Sequence, residues 1–187
     1  MSFIIISCVF LLGLIIGSFS VYACETNDYY GINTYFNGYI ESIRESEFLK
    51  IFFDTLFVFF LIVFLNFILG LCVVGNFFSF LFYFLFSYGI GAVSGFFYSA
   101  YHLKGIGFFA LNILPALFLF LIDYIISLKH SIAFSNRLFK LCCVNKEVKV
   151  DFKAYLIKFI VHFVLVAIIS LIYAFFIKTF NAMFDFS

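Results

Sequence analysis

Four ionisable side chains stand inside otherwise apolar stretches of this chain. Asp54 lies close to a predicted membrane face, and the other three, Asp123, Lys158 and His162, are the residues best suited to chemistry. Asp123 lies about a turn and a half from the end of one stretch, while Lys158 and His162 lie about one and two turns inside the next. Because Lys158 and His162 are four residues apart, they share one helix face. A contact from Asp123 to either side chain is geometrically reasonable, and the trio has the groups that a proton relay or an ion site requires.

A structural interpretation of the same trio competes with this one. The alkyl stem of Lys158 can run along apolar surface while its ammonium group reaches the membrane surface, with Asp123 anchored at the same interface. A transport path usually needs a polar stripe through the whole bilayer, and no such stripe is visible in the sequence. The relay and the interfacial anchor therefore stay open as alternatives.

Two amide side chains, Asn66 and Asn112, lie in the middle of apolar stretches, where polar groups need partners. We expect them to hydrogen-bond across helices, with a contribution of roughly 0.6–2 kcal/mol each. Pro115 lacks an N–H group and frees the carbonyl of Leu111, four residues earlier. The sequence therefore predicts a kink at Pro115, with Asn112 near enough to help satisfy the freed carbonyl.

No catalytic, metal-binding or phosphate-binding motif stands out. The sequence has no Ser/His/Asp set, no HExxH and no glycine-rich phosphate loop. Its three histidines divide, with His102 towards one predicted membrane face and His130 and His162 towards the other, so they do not converge on one metal. The net charge of +1 and the charged fraction of 11% do not point to nucleic acid. We predict a protein that is not an enzyme and has no catalytic residue, cofactor or metal.

Five long apolar stretches must position these residues. Hydrophobic residues make up 66% of the 187 positions. A hydrocarbon core about 30 Å thick requires roughly 20 apolar residues per helix, and lipid offers no partner for free backbone groups. The sequence predicts an all-α, polytopic membrane helical bundle that is a single integral membrane domain over residues 1–187, in contact with the lipid bilayer. The predicted helices cover residues 2–23, 51–75, 77–98, 105–128 and 154–178.

The two long connections carry opposite charge. Residues 24–50 hold five acidic side chains against Arg44 and Lys50, whereas residues 129–153 hold six Lys or Arg against Glu147 and Asp151. Lys and Arg near helix ends stay on the cytoplasmic side of a membrane. With five spans, we predict the N-terminus inside and the C-terminus outside. The acidic connection is then external, and a short surface helix is expected before the second span.

Small residues indicate where these helices approach one another. Helices in lipid associate by close packing at small side chains rather than by a hydrophobic force. Gly13 with Gly17, and Gly91 with Gly95, each have the spacing that places two glycines on one face. The positions assigned to helix packing are Gly13, Gly17, Gly70, Gly91, Gly95 and Pro115.

Five segments of the chain, most of them containing glycine, asparagine or proline, follow one another in an order that can be compared with known families. The segments that carry this order are Phe10-Leu-Leu-Gly13-Leu-Ile-Ile-Gly17-Ser18-Phe19, Asn66-Phe-Ile-Leu-Gly70-Leu-Cys-Val-Val-Gly75, Tyr88-Gly89-Ile-Gly91-Ala-Val-Ser-Gly95-Phe96-Phe97, Gly105-Ile-Gly107-Phe-Phe-Ala-Leu-Asn112-Ile-Leu-Pro115-Ala and Asp151-Phe152-Lys153-Ala-Tyr155-Leu. In this order the chain resembles the stage II sporulation protein M family. It departs from that pattern after Gly75, where members often have a proline, and after Pro115, where they have polar residues or a second proline.

The resemblance implies a multi-pass protein of the bacterial cytoplasmic membrane. In that family the protein is a scaffold that anchors peptidoglycan hydrolases at the septum during engulfment, and the hydrolytic chemistry belongs to those partners. The expected docking surfaces here are residues 24–50 and the Gly91/Gly95 face. Two alternatives stay open. One is a small transporter or channel with Asp123, Lys158 and His162 along a polar path, and the other is the membrane subunit of an ABC-type exporter.

Overall fold

The computed structural model describes residues 3–23, 34, 38, 46–143 and 150–180. Within these ranges the chain is helical and contains no strand, which confirms the all-α prediction. The elements are α1 (Phe3–Tyr22), α2 (Phe48–Leu71), α3 (Gly75–Phe108), a π-helical segment (Phe109–Ile113), α4 (Leu114–Cys143) and α5 (Phe152–Phe180). The surface helix expected before the second span falls largely outside the described residues.

Long apolar helices dominate the described chain. Three stretches have the length and composition to cross a membrane, namely Phe48–Leu71, Gly75–Cys143 and Phe152–Phe180, and Ile5–Val21 forms a shorter apolar helix. Many large apolar side chains face outward; Phe57, for example, is 65% exposed. Soluble proteins rarely expose apolar surface on this scale, so the outer surface is suited to contact with lipid.

The 69-residue stretch Gly75–Cys143 reverses direction at His102. His102 has φ 50° and ψ −129°, and no other non-glycine among the described residues has a positive φ. The ring centroids of Phe97 and Phe108 are 5.3 Å apart, whereas the same residues in a straight helix would be separated by about 16 Å. The chain therefore forms two rods that meet at His102, where the sequence predicts a connection between its third and fourth helices.

The connection between α2 and α3 is as short as the sequence predicts, but it comes earlier. Helix α2 ends at Leu71 and α3 begins at Gly75, whereas the predicted second helix runs to residue 75. The N–H of Gly75 donates to the carbonyl of Cys72 at 3.1 Å. A Cβ atom on Gly75 would overlap the carbonyl of Leu69, so the turn requires glycine at this position.

Helix α4 is longer than the sequence predicts. The prediction ends this helix at residue 128 and treats residues 129–153 as a loop, which is wrong for the part up to Cys143. The added turns bury Ser131, Ile132, Phe134 and Ser135 on one face. Since this segment contains neither glycine nor proline, charged residues on the opposite face do not end the helix.

The predicted kink at Pro115 takes the form of a wider helical turn. In the π-helical segment Phe109–Ile113, the chain is bonded one residue further back than in an α-helix, and the N–H of Leu114 donates to the carbonyl of Phe109. A proline ring clashes with the preceding turn of an α-helix, and a π-turn relieves that crowding.

The helices divide into two compact units. Unit 1 comprises Met1–Phe52, Tyr83–Pro115 and Tyr173–Ser187, and unit 2 comprises Phe53–Phe82 and Ala116–Ile172. Unit 1 contains α1 and the reversal at His102. Unit 2 contains the polar residues of α4 and the beginning of α5.

Candidate functional site

In unit 1, α1 and α3 approach to backbone contact at Gly91 and Gly95. A Cβ atom on Gly91 would overlap the carbonyl of Leu14, and one on Gly95 would lie 3.0 Å from the carbonyl oxygen of Ser18. The hydroxyl of Ser18 donates to the carbonyl of Gly91 at 3.0 Å. The two glycines are therefore needed for the packing of α1 on α3.

The glycines of α1 meet the same surface from the other side. A Cβ atom on Gly13 would overlap the hydroxyl of Ser87, and one on Gly17 would overlap the carbonyl of Tyr88. The Tyr88 hydroxyl donates to Ser20 Oγ at 2.9 Å. Both glycine pairs that the sequence assigns to packing thus belong to one contact within the chain.

This contact corrects the expectation that the Gly91/Gly95 face docks a partner protein. The face is covered by α1 of the same chain, at Leu14 and Ser18. The spacing of two glycines indicates that a helix will pack there, but it does not distinguish a helix of the same chain from a helix of a partner.

In unit 2, α4 carries a buried row of polar side chains, which we call the polar ladder: Asp123, Ser127, Ser131 and Ser135. The spacing of four residues places them on one helix face, and the row extends over about 18 Å. Asn66 of α2 donates from Nδ2 to Ser127 Oγ at 3.2 Å, so this amide makes the cross-helix hydrogen bond expected of it.

Ser131 and Ser135, the C-terminal members of the polar ladder, are hydrogen-bonded to α3 and to the turn before it. The hydroxyls of Ser131 and Ser79 lie 3.5 Å apart. Ser135 Oγ donates to the carbonyl of Cys72 at 2.8 Å and accepts from the N–H of Asn76 at 3.2 Å. The ladder therefore ties α4 to three neighbouring segments.

The sequence does not predict the polar ladder as a unit, although the four-residue period of Asp123, Ser127, Ser131 and Ser135 is a readable signal. Ser131 and Ser135 lie beyond residue 128, where the predicted helix ends. The ladder is not the polar stripe through the whole bilayer that a transport path usually needs. The ladder covers part of a bilayer's thickness, since about 18 Å is less than the roughly 30 Å of hydrocarbon.

At the N-terminal end of the polar ladder, Asp123 Oδ1 and His162 Nδ1 are 2.6 Å apart. Both residues are only 4% exposed, so Asp123 is paired with His162 inside the protein, and its expected position at the membrane interface stays a prediction. Within the described part of the chain, the second oxygen, Asp123 Oδ2, has no hydrogen-bond partner. Lys158 does not join the pair and is exposed.

An open cleft lies next to this pair, between α4 and the start of α5. The rings of His162 and His130 lie 5.6 Å apart, and His130 lines the cleft. The lining residues are His130, Ala133, Phe134 and Arg137 on one side and Asp151, Ala154, Tyr155 and Lys158 on the other. Each set follows the same spacing along its segment, which presents one face of each helix to the cleft. We call this feature the basic cleft.

Aromatic contacts hold the wall of the basic cleft in place. Tyr155 stacks on Phe134 with ring centroids 4.2 Å apart, and its hydroxyl donates to the carbonyl of Phe67 at 2.8 Å. A Cβ atom on Gly70 would overlap that hydroxyl, which explains why a small residue is needed there. Asp151 Oδ1 accepts from the N–H of Ala154 at 3.0 Å and so caps α5.

Asn112 does not play the part that the sequence predicts for it. Its side chain is fully buried, and neither the oxygen nor the nitrogen of its amide has a hydrogen-bond partner among the described residues. The expected help for the carbonyl of Leu111 is therefore absent. The π-helical segment before Pro115 adjusts the backbone itself.

The described residues contain no group of three or more His, Cys, Asp or Glu side chains that could hold a metal ion. The chain matches the family of stage II sporulation protein M over residues 6–182. It belongs to this family. No curated protein and no solved structure matches it.

Membership in the stage II sporulation protein M family confirms the resemblance seen in the sequence. The matched residues, 6–182, include every helix from the second turn of α1 to the end of α5. They therefore contain the glycine contact of unit 1 and, in unit 2, the polar ladder and the basic cleft.

Proposed function

We propose that this protein is a scaffold of the bacterial cytoplasmic membrane that anchors extracytoplasmic peptidoglycan hydrolases at the septum during engulfment. The observation that carries the proposal is the match to the stage II sporulation protein M family over nearly the whole chain, residues 6–182. On this proposal the chain is not an enzyme, and the hydrolytic chemistry is supplied by its partners.

The packing of the described helices supports a scaffold role. The glycines of α1 and α3 and the serines of α4 contact other helices of the same chain, as shown by Gly91 against Leu14 and by Ser127 against Asn66. Such contacts fix helices in place without creating reactive groups. A fixed bundle is suited to hold partners at a given place in the membrane.

The acidic connection, residues 24–50, is the docking surface that we favour. The Gly91/Gly95 face is covered by α1, so it offers no surface to a partner. Under the charge rule for membrane proteins the acidic connection is external, where wall hydrolases act. Its carboxylates at Glu41, Glu45 and Glu47 can attract a basic surface on a hydrolase.

The test is recovery of hydrolase activity with the tagged protein. Membranes of the source cells are extracted with mild detergent, the tagged chain is isolated, and dye release from labelled peptidoglycan is measured in the eluate. We expect activity well above an untagged control. Charge reversal at Glu41, Glu45 and Glu47 should lower it several-fold, whereas the reversal of Lys140 and Lys153 to Glu should not. An eluate without hydrolase activity would contradict the proposal.

A transport function is the second candidate, and the buried Asp123–His162 pair favours it. An ionisable pair inside a membrane protein is often part of an ion or proton path, and Asp123 Oδ2 has no hydrogen-bond partner in the described part of the chain. This candidate predicts ion or proton flux into proteoliposomes that Asp123→Asn alters. Proteoliposomes without flux across a panel of ions would eliminate it.

A further inference from the structure

The basic cleft has an excess of positive charge. Arg137 and Lys158 are basic, exposed side chains on opposite sides of the cleft, and His130 lies near Lys158. Among the described residues, neither Arg137 nor Lys158 forms an ion pair. The carboxylate of Asp151 is held by the N–H of Ala154. Two cations against one carboxylate leave the cleft attractive to an anion.

The shape of the cleft fits a small anionic group. Ala133 and Ala154 contribute only methyl groups, which leaves space beside the stacked rings of Phe134 and Tyr155. The open volume is about 60 Å³. Since one water molecule needs about 10–15 Å³ on this measure, the space corresponds to roughly four to six waters, enough for a phosphate group.

The surroundings of the cleft favour an anion that also carries apolar chains. On the same part of α5, Phe152 is 51% exposed, Leu156 39% and Ile157 51%. The cleft lies between the C-terminal part of α4 and the first two turns of α5, and we expect this end of the two helices to lie at the level of lipid headgroups. Free phosphate would use the charges but not these apolar side chains, whereas a phospholipid would use both.

We propose that the basic cleft binds the phosphate group of an anionic phospholipid, held by Arg137 and Lys158 with His130 at the inner wall. The guanidinium of Arg137 can donate two parallel hydrogen bonds to phosphate oxygens, and the ammonium of Lys158 adds a mobile charge from the opposite side. Basic pockets between transmembrane helices are known sites for such headgroups. The proposal stands independently of the scaffold function.

The first test measures lipid affinity and its dependence on charge. The purified full-length protein in a neutral detergent is titrated with phosphatidylglycerol, with phosphatidylcholine or with inorganic phosphate, and bound lipid is counted by native mass spectrometry. We expect phosphatidylglycerol to bind at least tenfold more tightly than phosphatidylcholine. Arg137→Gln and Lys158→Gln should each lower its affinity about fivefold or more. Lys140→Gln, outside the cleft on the last turn of α4, is the matched control.

The second test blocks the cleft without changing its charge. Ala154→Leu adds bulk to an exposed alanine that lines the cleft, and it should lower phosphatidylglycerol affinity at least tenfold. Ala23→Leu adds the same bulk to an exposed alanine at the end of α1 and should have no effect. Each variant must show the wild-type helical circular dichroism and elution volume.

Two results would overturn the proposal. If Lys140→Gln lowers affinity as much as Arg137→Gln, and Ala154→Leu binds like the wild type, the lipid is attracted by the surface in general and not by the cleft. If inorganic phosphate displaces phosphatidylglycerol at an equal concentration, the site recognises free phosphate and the assignment to a lipid is wrong.

Discussion

Asp123 and His162 illustrate how far a single residue can be interpreted from sequence. The sequence indicated that a contact between them was reasonable, because both lie near the same ends of adjacent helices. It did not decide between Lys158 and His162 as the partner, since the two lie on one face of α5. The packing of α4 on α5 decides it: His162 is buried against Asp123, while Lys158 is exposed and lines the basic cleft.

The first prediction concerns the stability of this pair. Asp123→Leu should lower the free energy of unfolding by about 1–3 kcal/mol, because His162 then loses its partner inside the protein. The double variant Asp123→Leu/His162→Leu should cost less than the sum of the two single changes, since no polar group is left unpaired. Unfolding by SDS in mixed micelles measures all three, with Lys158→Gln as the control. Strictly additive effects would contradict the pairing.

A glycine of α3 provides the second prediction at the residue scale. Gly91→Ala should destabilise the protein by about 1–3 kcal/mol, because the new Cβ atom overlaps the carbonyl of Leu14. Gly89→Ala is a matched control in the same helix, since a Cβ atom there meets nothing within 4 Å. We expect it to be neutral or slightly stabilising, because alanine favours a helix more than glycine does. The same unfolding assay compares them, and equal effects would contradict the α1–α3 contact.

At the scale of the elements, the helix cores were predictable and their ends were not. The length of each apolar stretch identifies a helix. The polar residues between two such stretches predict the short connection near His102. The extension of α4 to Cys143 is not predicted, because the charged side chains of residues 129–143 are typical of a loop although one face of this segment is buried. The π-helical segment was also missed, since a proline predicts a disturbed helix but not the way in which the helix adjusts.

The reversal at His102 gives the third prediction. With φ 50° and ψ −129°, this residue has a backbone conformation that favours glycine. His102→Gly should therefore raise the free energy of unfolding by about 1 kcal/mol. Lys104→Gly, placed two residues later in helical backbone, should lower it by up to about 1 kcal/mol. Thermal unfolding in detergent gives both values, and a destabilising His102→Gly would contradict the conformation described.

At the scale of the whole molecule, the charge of the connections predicts which end of the bundle lies in the cytoplasm. The prediction of membership in the stage II sporulation protein M family is confirmed over residues 6–182. The pairing of α1 with α3 was not predictable, because glycine spacing marks a contact without naming the helix that makes it. Orientation rests on Lys and Arg alone, and it stays a prediction.

Labelling of cysteines tests this orientation directly. Cys142 and Cys143 are exposed at the end of α4, which the charge rule places in the cytoplasm. A maleimide that does not cross membranes should label them only after the cells are permeabilised. In a variant that lacks the native cysteines, Gly38→Cys should be labelled in intact cells, since residue 38 lies in the predicted external connection. Labelling of Cys142 and Cys143 in intact cells would reverse the assignment.

The turn at His102 also determines what a protease can reach. Trypsin must draw several residues of extended backbone into its active site, and Lys104 lies two residues after the turn, where the chain is already helical again. Trypsin added to either face of the membrane should therefore leave the bond after Lys104 intact while cutting at basic residues elsewhere. A peptide that ends at Lys104, found by mass spectrometry of membranes digested without detergent, would show that this hairpin opens.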